Sequence, residues 1–126
     1  MRHDYYILNG TEVVPAINCM AWAEFFEHGN RRVRLTRVRG YEVSTVFLGN
    51  NHAFDDGPPM IFECMVFGDT ESYFFAGKQR HARRDVAGER CSTYAQAVAM
   101  HKRMVKLYRM SPRQLKRWEE RNAQLA

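Results

Sequence analysis

The stretch that decides the fold is residues 43–68, V-S-T-V-F-L-G-N-N-H-A-F-D-D-G-P-P-M-I-F-E-C-M-V-F-G. It holds two apolar runs, 43–48 and 60–67, separated by a polar loop. Alternate side chains point to opposite faces of a strand, and both faces of these runs are largely apolar. Such runs are typical of central strands. Pro58 and Pro59 lack the donor that a ladder needs, so they belong to the loop.

The residues before this stretch predict three more elements. Residues 5–14 favour a short hairpin, because Asn9-Gly10 suits the centre of a two-residue type I′ turn. Residues 17–28 predict an amphipathic helix, with Gly29 in the left-handed position that follows many helices. Residues 31–39 alternate between charged and apolar side chains, so we expect a strand whose arginines share one wet face.

The residues after it predict two helices. Thr93-x-x-Gln96 is a capping-box pattern, and a long helix should follow it to about Arg109. We expect that helix to pack on the sheet through Tyr94, Val98, Met104 and Val105, and His101 lies on the same apolar stripe. Ser111-Pro112 favours the start of a second helix.

Together these elements predict a single α+β domain, in which an antiparallel sheet carries helices packed on one face. We place the core in residues 1–110 and a C-terminal helix in residues 111–126. A length of 126 residues suits one domain. Because the central strands are apolar on both faces, while the visible helices cover only one, we expect a homodimer or larger oligomer.

Composition and charge limit the kinds of partner that the chain is expected to bind. No apolar run approaches the roughly 20 residues of a membrane helix, and the N-terminus lacks a signal-peptide core. We therefore expect a cytoplasmic protein without a membrane partner. The formal net charge of +5 permits an acidic partner such as nucleic acid.

The three cysteines are Cys19, Cys64 and Cys91, and none lies in a C-x-x-C pair. Their wide spacing argues against a zinc knuckle or a redox pair. We expect three buried, reduced thiols, because unpaired cysteine behaves as a small apolar side chain. The sequence indicates no metal site and no cofactor.

The first basic segment is the strand at residues 31–39, which includes Arg32 and Arg34. As an outer strand, its charges would resist edge-to-edge aggregation. The alternative is a track of cations that binds phosphates. The structural interpretation is the commoner of the two.

The second basic segment lies within residues 69–89, an insert that shows no regular period. We favour an exposed loop with one strand hidden in it, because charge runs are usually solvated. The alternative is a nucleic-acid contact, in which the aromatic triplet 73–75 stacks on bases and the basic cluster 78–84 grips phosphates. Arg80, Arg83 and Arg84 would then be the binding residues.

Several runs of the chain also resemble a known group of sequences. They are V-S-T-V-F-L-G at 43–49, G-P-P at 57–59, F-E-x-M-V-F-G at 62–68 and R-x-S-T at 90–93, followed by Ala97 and His101. The chain resembles a group of small uncharacterised proteins encoded by bacteriophages and prophages. The resemblance spans about residues 5–108, and it departs from the group at Asn51, Cys64, Cys91 and Met100. It implies a phage accessory protein in the host cytoplasm and names no activity.

Five titratable residues are candidates for chemistry: His52, Asp55, Asp56, Glu63 and His101. If they converge, imidazoles and carboxylates could bind a metal or transfer protons. No H-E-x-x-H spacing supports this, and Asn51 stands where the resembled group carries an aspartate. The structural alternative gives the aspartates a turn, pairs Glu63 with an arginine of the next strand, and buries His101 with a partner such as Glu63. We favour it, so His52, Glu63 and His101 are weak catalytic candidates.

Three functions remain open. The first is a non-enzymatic accessory protein that binds a host or phage macromolecule, with a protein as the expected partner. The second is a nucleic-acid-binding module that uses residues 31–39 and 78–84, and the third is a small metal-dependent enzyme. We favour the first because no catalytic motif stands out. The candidate binding residues are Arg32, Arg34, His52, Asp55, Asp56, Arg80, Arg83 and Arg84.

Overall fold

A computed structural model of the chain describes residues 3–125, so Met1, Arg2 and Ala126 lie outside it. The elements are β1 (Tyr6–Asn9), β2 (Glu12–Pro15), α1 (Cys19–His28), β3 (Arg32–Val38), β4 (Tyr41–Phe47), β5 (Phe62–Phe75), β6 (Lys78–Cys91), α2 (Tyr94–Tyr108) and α3 (Pro112–Leu125). The strands form an antiparallel pair, β1-β2, and a four-stranded antiparallel sheet in the order β3-β4-β5-β6. This architecture confirms the predicted α+β class.

The central position of β4 and β5 follows from their sequence. One face of each strand is fully buried, and it carries Val43, Thr45 and Phe47 on β4 and Phe62, Cys64 and Val66 on β5. The register places Thr45 opposite Cys64, so the two strands turn the same face toward the core. The prediction of two central strands is confirmed.

Helix α2 packs across all four strands of the main sheet. Its N-terminus has the predicted capping box, in which the Thr93 hydroxyl accepts from the Gln96 backbone N–H at 3.1 Å. Its buried side chains are Ala97, Met100, His101 and Tyr108, while Tyr94, Met104 and Val105 are partly buried against the core. Three of the four predicted packing residues thus contact the core clusters, and the fourth, Val98, belongs to neither.

The remaining elements extend the same buried face. The ring of Phe25 on α1 meets Phe47 edge-on at 5.8 Å, and Leu115 on α3 packs against the cluster that contains Tyr108. The opposite face of the sheet, which we call the open face, carries half-buried side chains such as Val46 and Met65. Neither core cluster of the described residues lies there. Helices therefore pack on one face, as predicted.

Two local predictions about the first 30 residues are wrong. Asn9 pairs with Glu12, so the central turn residues are Gly10 and Thr11. Of these two, only Gly10 has a positive φ, of +65°. That pattern is typical of a type II′ turn, not the predicted type I′. Gly29 has an ordinary φ of −78°, and its role is steric, because a Cβ there would lie 2.5 Å from the Phe25 ring.

The face assigned to the β3 arginines also needs correction. Arg32 lies opposite Val46, whereas Arg34 lies opposite Thr45, because a bulge intervenes between the two arginines. Neighbouring residues on β4 point to opposite faces, so Arg32 lies on the open face and Arg34 on the helix-covered face. The predicted single row of cations does not form.

The largest correction concerns residues 69–89, which form strands and not a loop. The β4 ladder ends at the pair Glu42–Phe67, but β5 and β6 continue to pair up to Phe75 and Lys78. Ala76 and Gly77 at the tip have φ values of +54° and +73°, as a type I′ turn requires. We call residues 69–84 the arm.

The three cysteines are unpaired and only partly follow their prediction. Cys64 is buried and Cys91 is half-buried, but Cys19 is exposed as the first residue of α1. The prediction of a buried thiol is therefore wrong for Cys19. No helix within residues 3–125 is both long and apolar enough to cross a membrane.

Candidate functional site

His101 lies between α2 and the sheet, with 2% of its surface exposed. Its Nε2 is 2.8 Å from the Thr36 hydroxyl, and its Nδ1 is 2.8 Å from the Thr45 hydroxyl. Burial, together with the nearby charge of Arg34, lowers the pKa of His101 below its usual value. The predicted burial of the ring is confirmed, and the hydrogen-bond partner that a buried imidazole needs is supplied at both nitrogens.

Glu63 lies on the other face of the sheet. Its carboxylate accepts a hydrogen bond from Arg90 Nε at 2.9 Å, across the β5–β6 ladder. The predicted pairing with an arginine of the next strand is therefore confirmed. Glu63 cannot be the partner of His101, since Thr45 shares its face with Cys64, the next residue along β5. That suggested pairing is wrong.

The loop between β4 and β5 is held by its own polar side chains. The Asn51 side-chain oxygen accepts from the backbone N–H groups of Ala53 and Met60, at 2.8 and 3.1 Å. Asp55 accepts from the Gly57 N–H at 2.9 Å, which is the turn role expected for an aspartate in this loop. His52 Nε2 is 3.2 Å from the Asn50 side-chain oxygen. Asp56 is exposed.

The titratable candidates thus lie in separate places: the loop, the open face and the helix–sheet core. Within residues 3–125, no group of three or more His, Cys, Asp or Glu side chains is arranged to hold a metal ion. Acid–base catalysis needs its groups within hydrogen-bond reach of one substrate. The described candidates therefore do not form one site.

The arm has a different character, because it projects from the sheet without cover on either side. Every residue from 69 to 85 is exposed. Tyr73, Phe74 and Phe75 expose 48%, 78% and 66% of their surfaces, although aromatic side chains usually contribute to cores and interfaces. The six pairs from Thr70–Arg83 to Phe75–Lys78 make a ribbon about 20 Å long at 3.3–3.4 Å per residue.

The register of the arm gathers rings and cations on one side. Tyr73 lies directly opposite Arg80, and Phe75 lies directly opposite Lys78. We call these four residues the aromatic–cation face. Arg80 Nε donates to the Phe75 carbonyl at 3.3 Å, and its guanidinium carbon is 5.6 Å from the centre of the Phe75 ring. That distance is within the range of a cation–π contact, so Arg80 is held beside an exposed ring.

The other side of the arm is less charged. It carries Phe74 and the pair Ser72–His81, whose hydroxyl and Nδ1 are 3.0 Å apart. The two sides therefore differ in chemistry, although the three aromatic residues are consecutive in sequence. Alternation along the strand places Tyr73 and Phe75 on one side and Phe74 on the other.

Arg83 fastens the root of the arm to the sheet. Its Nε donates to the Gly68 carbonyl at 2.9 Å, its Nη2 to the Gly40 carbonyl at 2.7 Å and its Nη1 to Glu42 at 3.3 Å. The guanidinium that the sequence offered as a phosphate ligand is thus engaged within the fold. Among the described residues, the Arg84 side chain makes no hydrogen bond or ion pair, so its charge remains available.

Charge is unevenly distributed along the arm. Residues 72–84 contain Lys78, Arg80, Arg83 and Arg84 and no aspartate or glutamate, while Asp69, Glu71 and Asp85 lie at the root. The tip is therefore cationic. Strand β3 lies at the opposite edge of the sheet from β6, so Arg32 and Arg34 do not continue this surface.

Sequence reasoning identified the aromatic triplet and the basic cluster, but not how they are arranged. It missed Lys78, Tyr73 and Phe75 as members of one face, because that grouping depends on strand register. The available signal was Ala76-Gly77, a glycine-containing turn between two segments of matched length. The chain matches no protein-family model, no curated protein and no solved structure.

Proposed function

We propose that this protein is a non-enzymatic binding protein that holds a macromolecule with its arm. The observation that carries the proposal is that every residue from 69 to 85 is exposed, including three consecutive aromatic side chains. The resemblance to phage and prophage proteins supports an accessory role in the host cytoplasm. The resemblance does not indicate which macromolecule is bound.

The arm is physically unusual as a free-standing element. A two-stranded ribbon is marginally stable by itself in water, and it normally needs a third strand or a packed layer. Burying one phenylalanine side chain contributes about 1.5–3 kcal/mol, so leaving Phe74 and Phe75 in water forgoes a large stabilisation. Exposed aromatic clusters mark interaction sites. A bound macromolecule would supply the missing layer.

The non-enzymatic part of the proposal rests on the separation of the titratable candidates. His101 is committed to Thr36 and Thr45, and Glu63 is committed to Arg90. Neither belongs to the arm, since His101 lies on α2 against the sheet and Glu63 lies on β5 opposite Arg90.

A crosslinking experiment tests the proposal. A photoreactive phenylalanine analogue is introduced at Phe74 on the arm or at Phe54 in the β4–β5 loop, which is fully exposed. We expect light to attach a macromolecule to the chain substituted at position 74 in producing cells. The chain substituted at Phe54 is the matched control and should give no such adduct. Equal adducts from both positions, or none from position 74, would contradict the proposal.

A further inference from the structure

We infer that the arm takes single-stranded nucleic acid on its aromatic–cation face. This inference rests on the proposed function and names its partner class. Two features of the face carry it, namely the spacing of its rings and the position of its cations.

The rings suit unpaired bases. Tyr73 and Phe75 are two residues apart on one strand, so they point the same way about 6.7 Å apart. Both are exposed, at 48% and 66%, and each offers a flat surface. Unpaired bases stack on such rings, and this contact tolerates any base because every base has a π-face. In a duplex the base faces are already occupied by neighbouring base pairs.

The cations suit the backbone of the same strand. Lys78 and Arg80 lie directly across from the rings, on β6. Side chains at such opposed positions are about 4.5–5.5 Å apart at Cβ. A strand whose bases lie on β5 would therefore run its phosphates along β6. Arg84 adds a third cation farther along β6, at the root beside Gly68. Glu71, opposite Ala82, lies on the same side as the rings and is the boundary of this cationic stretch toward the root.

Other partners match this face less well. A duplex offers phosphates but no open base faces, and an acidic protein surface offers carboxylates without a regular series of flat rings. Lysine is also depleted in the cores of protein interfaces, whereas Lys78 lies opposite the outermost ring of the face. The alternation of ring and cation favours a single-stranded polyanion of stacked bases.

The test is fluorescence anisotropy with the full chain and labelled 12-nucleotide probes. The probes are oligo-dT, oligo-rU and a mixed-sequence duplex, with a poly-glutamate peptide as competitor. We expect both single strands to bind at least about tenfold more tightly than the duplex, given the stacking contribution of each base. Three phosphate contacts at about 0.7 counterions each predict a slope of about −2 for log affinity against log salt.

Two variants separate the two features of the face. Lys78→Gln/Arg80→Gln/Arg84→Gln should weaken binding and bring the salt slope close to zero, because the phosphate contacts are removed. Tyr73→Leu/Phe75→Leu should weaken binding about tenfold or more while the slope stays near −2, because leucine keeps an apolar side chain without a stacking plane. Arg83 is left unchanged in both variants because it holds the root of the arm.

The matched control is Lys102→Gln/Lys106→Gln/Arg113→Gln, which removes the same charge from exposed positions on α2 and α3. It should keep both the affinity and the slope of the wild type. Equal loss in the control variant would show general electrostatic attraction and overturn the inference. Tighter binding to the duplex, unchanged binding by the leucine variant or equal competition by poly-glutamate would also overturn it.

The outcomes also separate this inference from the proposed function. If no oligonucleotide binds while position 74 still crosslinks to a protein, the arm is a binding surface and the nucleic-acid inference is wrong. If neither binding nor crosslinking occurs, both fail. Preferential binding of oligo-rU or oligo-dT would identify RNA or DNA as the natural form.

Discussion

The two halves of the β5–β6 hairpin share one ladder but have different surroundings. In the inner half, Phe62, Cys64 and Val66 are fully buried between neighbouring strands and α2. In the outer half, the arm, every residue is exposed. Backbone hydrogen bonds continue through both halves, so the ladder alone does not distinguish them. Burial does: the inner half contributes to the core, and the outer half is the part that we propose contacts a partner.

The boundary between the halves is marked by irregular pairing. The register shifts between Val66 and Phe67 and again between Phe67 and Thr70. Gly68 lies between these points, where a Cβ would approach the Val86 side chain to 2.8 Å. Arg83 then joins this boundary to the β3–β4 turn at Gly40. The arm is thus attached at a defined place, and the two halves can be perturbed separately.

The largest expected difference in stability is between variants of two histidines, His101 in the core and His81 in the arm, which both bond to hydroxyl groups. His101→Ala should lower the free energy of unfolding by about 3 kcal/mol, because it leaves a cavity and two buried threonine hydroxyls without their partner. His81→Ala in the arm loses one exposed bond to Ser72 and should change stability by less than about 0.5 kcal/mol. Urea denaturation measures both values. Similar costs for the two variants would show that burial does not distinguish the helix–sheet core from the arm.

The His101 ring also makes the helix–sheet core sensitive to acid. Burial lowers its pKa in the folded state, so the unfolded chain binds a proton more readily. Stability contributed by the neutral ring is therefore present above about pH 6.5 and is lost as pH falls below that value toward the folded-state pKa. His101→Gln, measured by urea denaturation between pH 5 and 8, should show a flatter profile than the wild type. An identical profile in the variant would contradict the assignment.

A smaller effect is expected at the root of the arm. Arg83→Met should destabilise the chain by about 1 kcal/mol, since the lost hydrogen bonds are mostly solvent-exposed. Amide exchange within residues 70–82 should accelerate more than exchange within β4, because the arm loses its attachment. Arg84→Met is the matched control and should leave exchange unchanged. Equal acceleration in β4 and in the arm would show that Arg83 supports the whole sheet.

The smallest effect on folding is expected from the rings of the arm. Tyr73→Leu/Phe75→Leu should keep the melting temperature within about 1–2 °C of the wild type, since exposed substitutions usually change stability by less than 0.5 kcal/mol. Differential scanning calorimetry measures it. A large drop would mean that the rings pack within the chain, which would remove the basis for a binding face.

Self-association stays a prediction from the two-sided apolar character of β4 and β5. If a second copy covers the open face, light scattering should give a mass above 14.8 kDa at micromolar concentrations. Met65→Lys on that face should restore the monomer mass. Ala82→Lys on the arm adds the same charge elsewhere and should not. A monomer mass for the wild type at all these concentrations would contradict the prediction.

The central strands and the covering helix were predictable because their sequence signals are local. The apolar runs at 43–48 and 60–67 and the Thr93–Gln96 capping box each depend on residues a few positions apart. The arm was missed because exposure on both faces removes the two-residue hydrophobic period by which strands are recognised. The bulge in β3 was missed for a related reason, since one extra residue reverses which face later side chains occupy.

The sequence by itself determined the class of fold, the central strands and the covering helix. It also identified the residues of the candidate site, namely three aromatic residues and a basic cluster. Only the tertiary structure decided their arrangement. Thr36 and Thr45 reach His101 across 65 and 56 residues, and Arg83 reaches Gly40 across 43. Strand register alone sets Tyr73 opposite Arg80 and Phe75 opposite Lys78, because facing partners are chosen by pairing between strands and not by neighbours along the chain.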